Sequence, residues 1–137
     1  MTTRVTYRIA AGLIFLLALG HTSGCPWSDP AWGVDLAAIR SSHFKVFGFT
    51  RTYWDFYVGF GLEISVFLLL TAVLAWQLGG VSVQALAQLR ATAWVLALAF
   101  VALTILSWMY FFAIPIAFVT PITVFLVLGA WRASKAA

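Results

Sequence analysis

Long apolar runs alternate with short polar interruptions along this chain, and the lengths of the runs predict four membrane-spanning helices. A hydrocarbon core of about 30 Å needs roughly 20 apolar helical residues to cross it. Runs of that order cover about Val5–His21, Tyr53–Leu78, Ala91–Tyr110 and Ile114–Trp131. Gly79-Gly80 breaks the second run from the third, and Val81 to Arg90 reads as a short amphipathic connector. Only a few residues, ending at Pro115, separate the third run from the fourth, which predicts a tight antiparallel helical hairpin. Because every amide in lipid needs an internal partner, a helix bundle is the economical fold. The expectation is all-α: an integral membrane four-helix bundle, a single domain over residues 1–137, with an interfacial helix or loop between the first two helices.

That connection, about Thr22 to Thr52, is the least lipid-like part of the chain. Asp29 ahead of Pro30 has the form of a helix start, with Asp as N-cap and Pro at the first helical position. Leu36, Ile39, His43 or Phe44, and Phe47 then recur at helical spacing, which predicts an interfacial helix over Ala31 to Phe47. Trp27, Trp32, Phe44, Phe47, Phe49, Tyr53, Trp54, Phe56 and Tyr57 make this side densely aromatic. Rings of this kind favour the headgroup zone as a belt; the alternative is a lid folded over the bundle.

Composition agrees with the run lengths. The chain is 64% hydrophobic and 9% charged, with a mean hydropathy of +1.01, whereas a soluble domain carries roughly 25% charged residues. The net charge of +4 is no argument for nucleic acid, because the basic residues are few and flank apolar runs. With four crossings, Arg4, Arg8, Arg90, Arg132 and Lys135 all fall on one side, which the positive-inside rule makes cytoplasmic. A bacterial inner membrane with both termini in the cytoplasm is expected. Arg4 and Arg8 followed by Ile9 to Leu19 also resemble a secretory signal, and Thr22-Ser23-Gly24-Cys25 the end of a lipoprotein signal. The segment is read as a retained span. Cys25 is the only cysteine, so no intrachain disulfide is possible.

Glu63 is the chemical exception, a carboxylate inside an apolar and aromatic run. An ionisable group at that depth is expensive unless neutralised, paired or hydrated, and by default marks a site. At 1.5 Å per residue it lies roughly 13 Å below Trp54, while His21 lies roughly 20 Å above Arg8. Thr104 and Ser107 on the third span and Thr120 and Pro121 on the fourth fall in the same outer-middle layer. Such a layer is expected to form an internal pocket, with Glu63, His21 and Asp55 as candidate catalytic groups. Trp54, Tyr57, Thr104, Ser107, Trp108 and Thr120 are the candidate ligand-binding residues. A Glu and a His whose protonation states are coupled can exchange a proton with a ligand. Pro121 frees the Ala117 carbonyl as a further acceptor. Asp55 follows Arg51 by four residues, a spacing that allows an ion pair on a helix surface, with Arg40 and Lys45 as other partners. The competing structural reading has Glu63 and His21 hydrogen-bonded across a helix interface, with Gly20, Gly24, Gly59, Gly61 and Ser65 as small residues for close approach. His21, His43 and the carboxylates show no metal-ligand spacing, and no motif identifies a cofactor.

Gly20-His21-Thr22-Ser23-Gly24 followed by Arg51-Thr52-Tyr53-Trp54-Asp55-Phe56-Tyr57-Val58-Gly59-Phe60-Gly61-Leu62 resembles a group of small bacterial four-span membrane proteins. The resemblance covers most of the chain and implies a four-helix fold without an activity. Arg8 to Gly20 is loosely similar to the opening helix of DoxX-type membrane proteins. A fainter similarity is to the sterol-isomerase and sigma-2-receptor group, whose helical bundles use buried acidic residues to handle cationic or sterol-like ligands. His21, Asp55, Glu63, Trp54 and Trp108 would play that part here, although their order and spacing carry over no catalytic role.

The expected function is binding of a hydrophobic small molecule (lipid, quinone, terpenoid or sterol-like) in the outer-middle pocket, with Glu63 and His21 as the candidate proton-transfer pair. The expected partners are membrane lipids, such a ligand, and a second copy or a membrane complex. The alternatives are a noncatalytic accessory subunit of a membrane complex and a small proton-coupled carrier, which would lack the repeated broken helices common in transporters.

Overall fold

The computed structural model describes residues 2–24, 27–30 and 33–135. Cys25 and Trp32 lie outside these, as does the stretch that Asp29-Pro30 would lead into. The elements in chain order are α1 (Thr3–Gly24), α2 (Leu36–Ser41), β1 (His43–Val46), β2 (Phe49–Thr52), α3 (Tyr53–Leu78), α4 (Val83–Gln88), α5 (Arg90–Tyr110) and α6 (Ala113–Lys135). The fold class is all-α. Four of the helices, α1, α3, α5 and α6, are long and apolar enough to cross a membrane. No more than 33% of the most apolar window of each is buried, so large side chains such as Phe15, Phe67, Val95 and Ile105 remain on the outside. That distribution suits a lipid solvent.

The expected spans meet these helices within a few residues, and α3 keeps both expected ends. The connector after Gly79-Gly80 is α4, which Ser82 caps by accepting from the Ala85 amide at 3.2 Å. Among the described residues of the interfacial helix expected over Ala31–Phe47, only α2 is helical. Helix α2 is one short stretch whose N-cap is Asp35, accepting from the Ala38 amide at 3.0 Å, while Asp29 instead pairs with Arg40. From His43 the chain turns into an antiparallel hairpin with His43 opposite Thr52 and Val46 opposite Phe49. Its two-residue turn, Phe47-Gly48, has φ of 48° and 88°, the sign pattern that matches the twist of paired strands and that no helix accommodates.

β2 runs straight into α3. Thr52 and Asp55 close a reciprocal cap there: the Asp55 carboxylate accepts from the Thr52 amide at 2.7 Å, and the Thr52 hydroxyl accepts from the Asp55 amide at 3.0 Å. Two otherwise orphaned donors are satisfied at once. The expected pairing of Asp55 with Arg51, Arg40 or Lys45 is replaced by this cap, because Arg51 sits in a strand and the spacing rule for helix surfaces does not reach it. Thr52→Ala should cost about 1 kcal/mol of stability and fray the first turn of α3, seen as faster amide exchange at Trp54 and Asp55.

The chain divides into two compact units, residues 1–17 with 68–137, and residues 18–67. The first is built on small side chains. Ala10, Ala11, Ala72, Ala75, Ala93, Ala97, Ala130 and Ala133 are all buried there, with Tyr7, Ile14, Phe100, Ile122 and Leu126 between them. Small residues let apolar helices approach without any hydrophobic driving force from lipid. All four acidic residues fall in the second unit, so the first carries only cations. Arg8 lies 3.3 Å over the Trp76 ring, Lys135 lies 3.9 Å over Trp131, and Arg132 donates to the Thr6 hydroxyl at 2.8 Å.

Candidate functional site

The expected site residues divide between the two units. Thr104, Ser107, Trp108 and Thr120 belong to the α5–α6 hairpin of the first, where the polar atoms of Thr104, Trp108 and Thr120 fasten the two helices. The Thr104 and Thr123 hydroxyls lie 2.8 Å apart, and both reach the Phe100 carbonyl at 2.9 Å. Thr104 also approaches the Val119 carbonyl at 3.3 Å, within α6 next to the Pro121 break in the amide ladder. The Trp108 indole donates to Thr120 at 3.4 Å, and Ser107 is buried with its carbonyl accepting from Phe111, the C-cap of α5. The Thr104, Thr120 and Thr123 hydroxyls thus take part in pairing the two helices.

In the second unit the end of α1 meets α3 through a small polar network. Ser65 donates to the Gly61 carbonyl at 3.0 Å, Thr22 donates to Ser65 at 2.9 Å, and the His21 Nε2 lies 3.0 Å from the same Gly61 carbonyl. A carbonyl only accepts, so Nε2 carries the hydrogen in this contact. His21 is thereby a fastening between α1 and α3. It does not pair with Glu63. Gly61 and Ser65 are four residues apart and share the face of α3 turned to α1, whereas Glu63, two residues after Gly61, stands about 200° round the helix. Glu63 is exposed and has no hydrogen-bond or ion-pair partner among the described residues, and Phe60, Leu62, Ile64, Val66 and Phe67 around it are exposed as well.

Two turns above Glu63, on the same side of α3, lies Asp55, with Gly59 between them at four-residue steps. An open depression of about 380 Å³ is lined by Arg51, Trp54, Asp55, Val58 and Gly59. That volume is within the roughly 300–1,000 Å³ range of small-molecule sites. Gly59 makes the floor: a β-carbon there would meet nothing within 4 Å. The walls are held from the loop side. Arg40, fixed by Asp29, lies 4.4 Å over the Trp54 ring, and Trp54 in turn lies 5.3 Å from Tyr57. Asp55 enters the site with one carboxylate oxygen already engaged in the α3 cap. Of the residues expected from sequence, Trp54 and Asp55 line the depression, while Arg51, Val58 and Gly59 join them through the surface shape alone.

The arrangement brings distinct chemical groups together along one side of α3. It offers a cation and a carboxylate at the outer rim, an aromatic wall, a gap at Gly59, and one further carboxylate a turn deeper on an apolar face. No family model, no curated protein and no solved structure matches the chain.

Proposed function

We propose that this is a multi-pass membrane protein that binds a hydrophobic small molecule with a polar end (lipid, quinone, terpenoid or sterol-like) along the outer half of α3. Glu63 is its deep polar contact. The carrying observation is the unpaired carboxylate on an outward apolar face, one turn from the floor of an open depression. A carboxylate left to lipid alone is costly, and a ligand whose polar group meets it there removes that cost. Its apolar body lies over Val66 and Phe67, and it arrives sideways from the bilayer. In this reading Glu63 is the group able to exchange a proton with the ligand, and His21 positions the helix that carries it. The membrane is a bacterial inner membrane, with the termini and the cationic ends of α1 and α6 on the cytoplasmic side.

The strip of exposed Leu62, Ile64, Val66 and Phe67 flanking Glu63 also favours a second reading, an accessory subunit whose partner covers this face. Native mass spectrometry of the gently purified protein separates the two. The wild type should retain a defined hydrophobic molecule. Glu63→Gln should lose it, as should Gly59→Leu, which puts a bulky side chain into the depression from a position whose β-carbon meets nothing within 4 Å, while expression and oligomeric state stay as they are. A fixed complex or bare homo-oligomer, with bound lipid unchanged in both variants, would instead establish the subunit reading.

A further inference from the structure

The β1–β2 hairpin is amphipathic. Its pairing puts Phe44, Val46, Phe49 and Arg51 on one face and His43, Lys45, Thr50 and Thr52 on the other. At the base of the apolar face, Phe44 meets Tyr53 at 5.3 Å and Phe56 at 5.0 Å, and Phe56 meets Phe60 at 5.4 Å. Tyr53, Phe56 and Phe60 are themselves exposed on α3, so the hairpin prolongs an outward aromatic strip beyond the start of that helix. Towards the tip the face loses its cover: Val46 is 48% exposed, Phe49 64% and Phe47 97%.

Phe47 is the telling residue. It occupies a left-handed turn position that Asn, Asp or Gly fills at least cost and that a bulky residue occupies with strain. It touches almost nothing within the protein, so its apolar surface serves a contact outside it. Charge indicates what that contact is. From Leu36 to Trp54 the chain carries Arg40, Lys45 and Arg51 and no acidic residue, and Lys45 and Arg51 have no ion pair among the described residues. Cations beside exposed aromatic rings, joined without a linker to a helix built to cross a membrane, are the chemistry of a phospholipid boundary.

We infer that the hairpin is a membrane-surface anchor. Val46, Phe47 and Phe49 dip into the boundary between headgroups and acyl chains of the leaflet where α3 begins, and Lys45 and Arg51 reach lipid phosphates with their long stems. The hairpin thereby fixes the height and tilt of the first turns of α3. This holds whether or not α3 carries a ligand.

The test uses the full chain in vesicles of phosphatidylglycerol and phosphatidylcholine. With Cys25 replaced by serine, a single cysteine carrying a polarity-sensitive dye is placed by Val46→Cys on the apolar face or by Thr50→Cys on the polar face. The dye at 46 should emit to the blue, be quenched by spin-labelled lipid and be shielded from iodide; the dye at 50 should show the reverse. Adding Phe47→Asn, which relaxes the turn and so preserves the hairpin, should bring the dye at 46 to the aqueous pattern. Equal iodide quenching at 46 and 50 would overturn the anchor. Shielding of 46 from both quenchers would overturn it as well, by showing a protein against this face.

Discussion

Gly129→Ala is expected to destabilise the protein by about 1–3 kcal/mol, the usual cost of forcing an extra group into a filled contact, although alanine is favoured over glycine in a helix by about 1 kcal/mol. The reason is the Tyr7 ring. A β-carbon at position 129 would lie 2.7 Å from its Cζ and 2.9 Å from Cε2, and Tyr7 is wholly buried, so the ring has nowhere to retreat. Helices α1 and α6 are held together in part by this fit, with Arg132 bonded to Thr6 about one turn further along. Unfolding in mixed micelles should show the loss directly. Combining Gly129→Ala with Tyr7→Leu should recover part of it, because the second change removes the atoms that collide. Gly59→Ala is the matching control. Its β-carbon meets nothing, so the same chemical change should stabilise α3 by about 0.5–1 kcal/mol.

The four spans were legible because run length alone carries them, and α3 begins and ends where its apolar run does. The hairpin was not, for a physical reason that is visible in retrospect. Leu36, Ile39, Phe44 and Phe47 satisfy a helical period, yet Phe44, Val46, Phe49 and Arg51 satisfy a two-residue period across a turn equally well. Gly48, free to take a positive φ, and the β-branched Val46, Thr50 and Thr52 tip the balance to strands. Thr52 and Asp55 likewise wrote a capping box into the sequence, which the four-residue spacing of Arg51 and Asp55 obscured. For the candidate site, height along the helix was readable and direction around it was not. Glu63 does sit in the middle of its span, but Gly61 and Ser65, the small residues that let α1 approach, turn the opposite face inward and take His21 with them. Thr104 and Thr120 were sound as polar positions on their spans. Their partners, Thr123 and Trp108, lie across the tight hairpin that the same sequence predicts.

Glu63→Leu is expected to separate the protein's stability from the ligand binding proposed for it. Moving an acidic residue out of the centre of a spanning helix favours insertion by about 2–3 kcal/mol on scales that measure it, and Glu63 has no partner among the described residues whose loss would offset that gain. Leucine is also at home among the exposed Leu62, Ile64, Val66 and Phe67. The fraction of α3 integrated by the insertion machinery should rise, as should the resistance of the purified protein to unfolding, while the proposed hydrophobic ligand is no longer retained. An intramembrane carboxylate is by default a site hypothesis, and the two readouts tell the proposed occupants of this face apart. Rising stability with loss of ligand marks a small molecule at Glu63. Falling stability, with break-up of an assembly, marks another polypeptide on this face and transfers the assignment to the accessory-subunit reading. Because Gly59→Leu disturbs the depression but leaves the carboxylate in place, the same pair of measurements on that variant tells whether the ligand rests on the outer rim as well as on Glu63.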